Sequence, residues 1–575
     1  MGTPSHNHFL PIPQPASVRV LLLASLLVSG LLAGCVSTST EPSPSGVPSA
    51  LSTAVRDPAW AVHAIFGDAD PLETDHALPK EHDHGNRTQH QGFSTPNFEV
   101  LGHDPLLSPY FGATAGTGYC GDVSDARPGG RQIAVVHSFQ TDVALTVLDV
   151  TDHAKPTMLG ELVLPYEFTY DAAVFADGKY AVIAGNPDLA TDKPTAPGAT
   201  FPFHMTWRDA CGERPVPSNV DNIPYGYAAI LVDLSTPESP KVADFYEYPG
   251  GRNVHSISTA TIDGTRYVAT SGLAAVPCTI PSIPGNPVPN PVPCEPQVPR
   301  YGNALSHFDI LTVQETPAGA RLALDLVYTP TDQTHMDPSL LYLSNGHTDA
   351  TIEKHPVTGQ TIAYLADWDG GLHIIRLDGP GQATPLADWG QNPGGDPTQM
   401  KGHIHSVWPL PGEQDGHHYL LTGQEVIGRP IGRPSGQVVL LDVTNPAVVL
   451  RLAKWTLPID VQWPPSQGEM FSTHYPILVN GTLFVSMYHG GVWAADAGKA
   501  SWPDLPTVGA FVPALEPAGK PFRGGPTPEV LEVLSLGDGT LLVYDGTSGA
   551  YTVRFHPGDA RVTPALPWPD NPWIG

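Results

Sequence analysis

His403 and His405 stand two residues apart in the stretch GHIHSVWPL, 402–410, at the head of an apolar run. Residues two apart on a strand share a face, so this pair would aim two imidazoles the same way. The arrangement recurs at Thr169-Tyr-Asp171-Ala, Asn253-Val-His255-Ser, His335-Met-Asp337-Pro and Ser472-Thr-His474-Tyr. Aligned, one register collects Asp171, His255, Asp337, His405 and His474. The position two residues earlier collects Thr169, Asn253, His335, His403 and Ser472. If these runs share one axis, the spacing predicts two stacked rings of polar side chains.

Such rings can do metal chemistry. Neutral imidazoles with carboxylates suit zinc, iron or manganese, whereas an all-histidine subset suits copper. The strands that follow should run back to the same face and also end in polar residues: Asn186, Asp369, Glu425, His489 and Asp545. WDGG, 368–371, aligns with YHGG, 488–491, which matches Asp369 to His489. The expected metal set is therefore His255, His335, His403, His405, His474, His489, Asp171 and Asp337. The bland alternative is that each imidazole bonds a neighbouring backbone and the rings hold channel water. A further group, His76, His82, His84 and His90, reads as a solvated lead-in.

The elements that would position these residues come from a repeat. LTVLDVTDHAKPTMLGELVLP (145–165), ILVDLSTPESPKVADFYEYP (230–249) and VVLLDVTNPAVVLRLAKWTLP (438–458) share a strand, a polar turn with proline and another strand. Asp, Ser and Thr side chains bond turn amides, and proline presets the backbone angle. Units fall near 118–165, 166–249, 250–332, 333–398, 399–458, 465–515 and 527–556. The last has only three strands, and NFEVLGHD, 97–104, resembles the missing fourth. The fold class expected is all-β: a seven-bladed β-propeller over 96–560, closed by its own N-terminal strand. Closure removes the sheet edges that an open array would expose.

Composition agrees. The chain has 575 residues, of which 58 are glycine and 64 proline, with 15% charged, so it favours turn-rich β structure. A net charge of −29 would repel phosphates and argues against nucleic acid as a partner. After Arg19, VLLLASLLVSGLLAGC is short for a membrane span. Its end, Leu32-Ala33-Gly34-Cys35, resembles the lipobox of bacterial lipoprotein signal peptides. That resemblance implies a signal peptide over 1–34, cleavage before Cys35 and lipidation of its thiol. A Ser/Thr/Pro-rich flexible linker follows over 35–95, disordered by composition. The expected setting is the bacterial cell envelope, with the chain a monomer held to the membrane by lipid and facing the periplasm or cell exterior. Residues 561–575 read as a C-terminal tail.

Four cysteines remain after Cys35, an even number that in an exported protein predicts two disulfides. Cys278 and Cys294 bracket a Pro-rich insert, 276–300, and would pair, which leaves Cys120 with Cys211. Nucleophile elbows, Walker loops, dinucleotide fingerprints and H-E-x-x-H are all absent from the sequence.

DGGLHIIRLD (369–378), HGGVWAADA (489–497) and the three turns above resemble LVIVD-repeat β-propeller proteins. The resemblance covers most of 97–556 and implies blades rather than a particular chemistry. A more distant similarity is to selenium-binding-protein/methanethiol-oxidase propellers, which use histidines for copper; no ligand carries over residue by residue. Two functions follow as expectations. One is a lipid-anchored scaffold that binds a protein or small molecule at a propeller face. The other is a metal-dependent, copper-type oxidase of a small exported substrate, with a copper, zinc or iron ion as cofactor.

Overall fold

A computed structural model describes the chain between residues 94 and 558, except for 107–117, 188–227, 276–303, 331–346, 391–403, 426–435, 458–471, 514–529 and several shorter stretches. Seven antiparallel four-stranded sheets account for every strand in it. The innermost strands are Gly118–Val123, Tyr166–Val174, Ser256–Ile262, His347–Lys354, Ile404–Pro409, Pro476–Val479 and Val530–Ser535, one for each blade from one to seven. Each touches the innermost strand of the next blade, and the seventh touches the first, so the array is a closed ring around a channel. The protein is an all-β, seven-bladed propeller.

The cores lie between blades. Six hydrophobic clusters join successive blades, as Ile133, Leu145, Ile183 and Ile230 do for blades one and two. A seventh, with Leu106, Val136, Leu148, Leu534 and Tyr544, joins blade seven to blade one. The strands supply these clusters because alternate residues face opposite sides, and both sides of each sheet are covered. This explains apolar runs such as Val143–Asp149, buried at nearly every position.

Closure uses the N-terminal strand as expected. Phe98–Asp104 forms the outer strand of blade seven, with Phe98 opposite Phe555 and Asp104 opposite Ala550. The segment before it is stitched to blade six: the Thr95 amide donates to the Ala510 carbonyl at 2.9 Å and Asn97 Nδ2 to the Val508 carbonyl at 2.9 Å. Phe98 then packs among Phe484, Phe511 and Phe555.

The glycine step before the third strands has a backbone cause. Gly371 and Gly491 both have positive φ, 92° and 74°. A Cβ on Gly491 would also lie 2.2 Å from the Phe511 carbonyl oxygen.

One expectation needs correction. The inner strand of blade four is His347–Lys354 rather than the run beginning at His335. Its hairpin partner, Thr361–Asp367, fixes this register, pairing Thr361 with Lys354 and Asp367 with His347. Asp349 therefore occupies the channel position assigned to Asp337, and His335 and Asp337 lie outside the described residues. Cys120 forms no disulfide among the described residues, and its expected partner, Cys211, lies outside them. Cys120 sits buried on the inner strand of blade one against Tyr475. Cys35, Cys211, Cys278 and Cys294 lie outside the described residues.

Candidate metal centre

Bulges near the start of the inner strands of blades one, two, four, five and seven re-aim side chains at the channel end. In blade five, Ile404 pairs with Gln424 and Ser406 with Gly423, so His405 is the extra residue between them. A bulge re-aims a side chain and breaks the two-residue alternation. His405 therefore falls outside the alternation expected to place it on one face with His403, which itself lies outside the described residues. Asp171 lies in a similar register shift in blade two, between Thr169 and Ala172.

At this position blades one, two, four and seven carry a carboxylate that latches the next blade. Asp171 accepts from the amides of Ala172 and Ile257, both at 2.8 Å. Asp349 accepts from Ala350 at 2.8 Å and Val407 at 3.0 Å. Asp122 accepts from Val123 at 2.7 Å and Val174 at 3.1 Å, and Glu532 Oε2 accepts from Gly121. Burial pushes these groups up, Asp171 to about 8 and Asp122 and Asp349 each to about 7, against the pull of their amide hydrogen bonds. Both oxygens of Asp171 are thus occupied by backbone amides, so its expected place in a metal set is corrected to that of a blade latch.

Blades three, five and six carry His255, His405 and His474 instead. For blade five the reason is local. Asp171 and Asp349 each bond the amide two residues beyond the matching residue of the next blade. The counterpart for His405 is Pro476, which has no N–H to give. A carboxylate at 405 would find no donor there. In blade six the direction reverses: His474 Nδ1 donates to the Leu531 carbonyl at 2.7 Å. Leu531 is the extra residue of a bulge between Val530 and Glu532.

These choices bring three side chains together. His405, Glu425 and His474 each turn one ligand atom inward, all within 4.8 Å of one another, and all three residues are buried. His405 Nε2 lies 3.6 Å from Glu425 Oε2, and the rings of His405 and His474 are 4.2 Å apart at their centroids. Since Nδ1 of His474 is committed to Leu531, Nε2 is its inward atom. The other carboxylate oxygen, Glu425 Oε1, accepts from the Tyr488 hydroxyl. Tyr475 stands edge-on to both imidazoles, at 5.4 Å from His405 and 4.7 Å from His474.

Electrostatics suit a metal. Burial pushes His474 down to about 3, with the Leu531 hydrogen bond opposing and nearby His255 adding to the fall. The imidazole is therefore neutral, as a ligand must be. Burial pushes Glu425 up to about 7, partly countered by Tyr488. Ligands of a tetrahedral zinc with bonds of roughly 2.0–2.1 Å lie about 3.3 Å apart. The 3.6 Å between His405 and Glu425 already approaches that, and His474, with its ligand atom within 4.8 Å of both, would have to close in to complete it.

His255 is half-buried nearby, its ring 6.4 Å from that of His405 and its Nδ1 3.0 Å from Ser256 Oγ, outside the triad. His489 lies outside the described residues. Glu425 was visible in the sequence only as one of several polar strand ends. Tyr488 and Tyr475 gave no signal, since an aromatic residue beside a strand reads as core.

The class that the fold defines is a seven-bladed β-propeller. The WD40 β-propeller domain of Doa1 is similar at a TM-score of 0.40 and 10% sequence identity, over 80% of this chain and 98% of that one. A protein from Lactobacillus plantarum is similar at 0.40 and 13% identity, over 71% of this chain and 88% of that one. No family model and no curated protein sequence matches the chain.

Proposed function

We propose that this chain is a lipid-anchored, extracytoplasmic LVIVD-type propeller that serves as a binding scaffold and holds one divalent transition metal in its channel. The observation that carries the metal reading is the convergence of His405, Glu425 and His474 within 4.8 Å, all buried. Two imidazoles and one carboxylate suit zinc(II), iron(II) or manganese(II), whereas soft thiolate and thioether ligands select copper(I). Three protein donors leave a further coordination position, as sites that act on an exogenous ligand require. The lipobox-like Leu32–Cys35 supports the envelope location.

Elemental analysis of the purified full chain tests the reading. One zinc, iron or manganese per chain is expected, lost in the double variant His405→Ala/His474→Ala. Wild-type protein that takes up none of these ions on reconstitution would end the metal reading and leave a metal-free scaffold.

A further inference from the structure

We propose that Tyr488 is the positioning residue of this metal centre, acting through Glu425. The inference rests on the metal reading above. Tyr488 is built into its place by the backbone. It has a positive φ, 50°, which bulky residues rarely adopt and which persists only when the surroundings impose it. Here they do. The Tyr488 amide donates to the Val530 carbonyl at 2.8 Å, and the Val530 amide returns to the Tyr488 carbonyl at 2.9 Å. This isolated bridge ties the end of the second strand of blade six to the inner strand of blade seven.

From that fixed point the side chain reaches across to blade five. Its hydroxyl donates to Glu425 Oε1, and its ring stands edge-on to His474 at 4.9 Å. With Oε1 engaged, Glu425 turns Oε2 towards His405 Nε2. A carboxylate held this way presents one oxygen to a metal rather than two. The next residue along blade seven, Leu531, holds His474 through its carbonyl. One junction between blades six and seven therefore orients two of the three ligands. Outer partners of this kind typically set metal affinity by about 10–100-fold.

Tyr488→Phe removes the hydroxyl and keeps the ring and the bridge. In chelator competition with zinc(II), the full-length variant should still bind one ion but about 10–100-fold more weakly. The absorption spectrum of its cobalt(II) form should change, because Glu425 gains freedom to bind through both oxygens. Thermal unfolding of the metal-free protein should fall only modestly, because buried Glu425 loses one donor while the ring and the backbone bridge stay in place. In a Glu425→Gln background the Tyr488→Phe loss should vanish, since the two residues act as one unit. Unchanged affinity and spectrum in Tyr488→Phe overturn the proposal while leaving the metal reading intact. An undiminished loss in the Glu425→Gln background also overturns it. A wild-type chain that binds neither zinc(II) nor cobalt(II) overturns both.

Discussion

His474 Nδ1 donates to the carbonyl oxygen of Leu531 at 2.7 Å, so that Nε2 is the atom His474 offers to the channel. The partner carbonyl belongs to the next blade and to a bulged residue, whose ladder bond the bulge releases. The tautomer of a channel histidine is thus fixed by a sheet irregularity 57 residues further along the chain.

The first prediction separates ligands from latches. His405→Ala and His474→Ala should each abolish stoichiometric metal. Asp171→Asn should retain metal but destabilise the ring by about 1–3 kcal/mol, because one of two buried amides loses its acceptor. Metal content and thermal unfolding of the three variants, measured side by side, check this. Loss of metal in Asp171→Asn with unaltered stability would reverse the two roles.

Ring closure should dominate stability. Phe98 is fully buried among three phenylalanines on the outer strand of blade seven. Phe98→Ala should cost about 3–5 kcal/mol in denaturant unfolding. Deleting 97–104 should lower the unfolding temperature of the whole propeller in one transition, as two sheet edges open. Full thermal stability in the deletion would refute closure by this strand.

Stability should fall at alkaline pH through His373. Burial alone would push this imidazole down, but the nearby Asp367 carboxylate and the hydrogen bond to Asp388 reverse that and push it up to about 9. Its Nδ1 lies 2.7 Å from Asp388 Oδ1 and its Nε2 3.5 Å from Asp367 Oδ2. A pKa raised on folding stabilises fully below the unfolded value, roughly 6.5, and that contribution is lost as pH rises through the folded value. Denaturant midpoints should therefore decline between about pH 6.5 and pH 9, by roughly 1–3 kcal/mol in total. His373→Gln should flatten that decline; an equal slope in the variant would assign it elsewhere.

Cys120 should behave as an inert thiol. Burial raises its pKa first, and the surrounding carboxylates, Glu532 foremost, raise it further. Mass spectrometry after iodoacetamide treatment should find Cys120 unmodified in native protein and modified in denaturant without any reductant. Modification only after reduction would show a disulfide.

Anchoring is tested at Cys35. Cys35→Ser should leave a larger, unlipidated precursor, because the peptidase awaits the lipidated thiol. Normal mature size with membrane retention in that variant would reject the lipoprotein reading.

Much of the architecture was legible in the chain itself. The turns after Leu148, Val232 and Leu441, the seven units and the spare strand at Phe98 all follow from local alternation and turn chemistry. Each blade carries its own pattern, and a three-strand tail needs a fourth strand. His405 and His474 were also legible as members of one repeat position. What the sequence could not carry was the choice among the residues at that position. Asp171 and Asp349 look as fit to bind metal as the histidines, yet amides of the next blade, 86 and 58 residues on, take their oxygens. In blade four the run at His335 was read as the inner strand; pairing with Thr361–Asp367 puts that strand at His347–Lys354 instead. Glu425 entered the centre, and Tyr488 behind it, through contacts across 63 residues that no periodicity records. Periodicity reports which face a residue takes within one sheet. Bulges at the channel end, and the donors that the neighbouring blade does or does not supply, decide which side chains remain turned inward, and those exist only once the ring has closed.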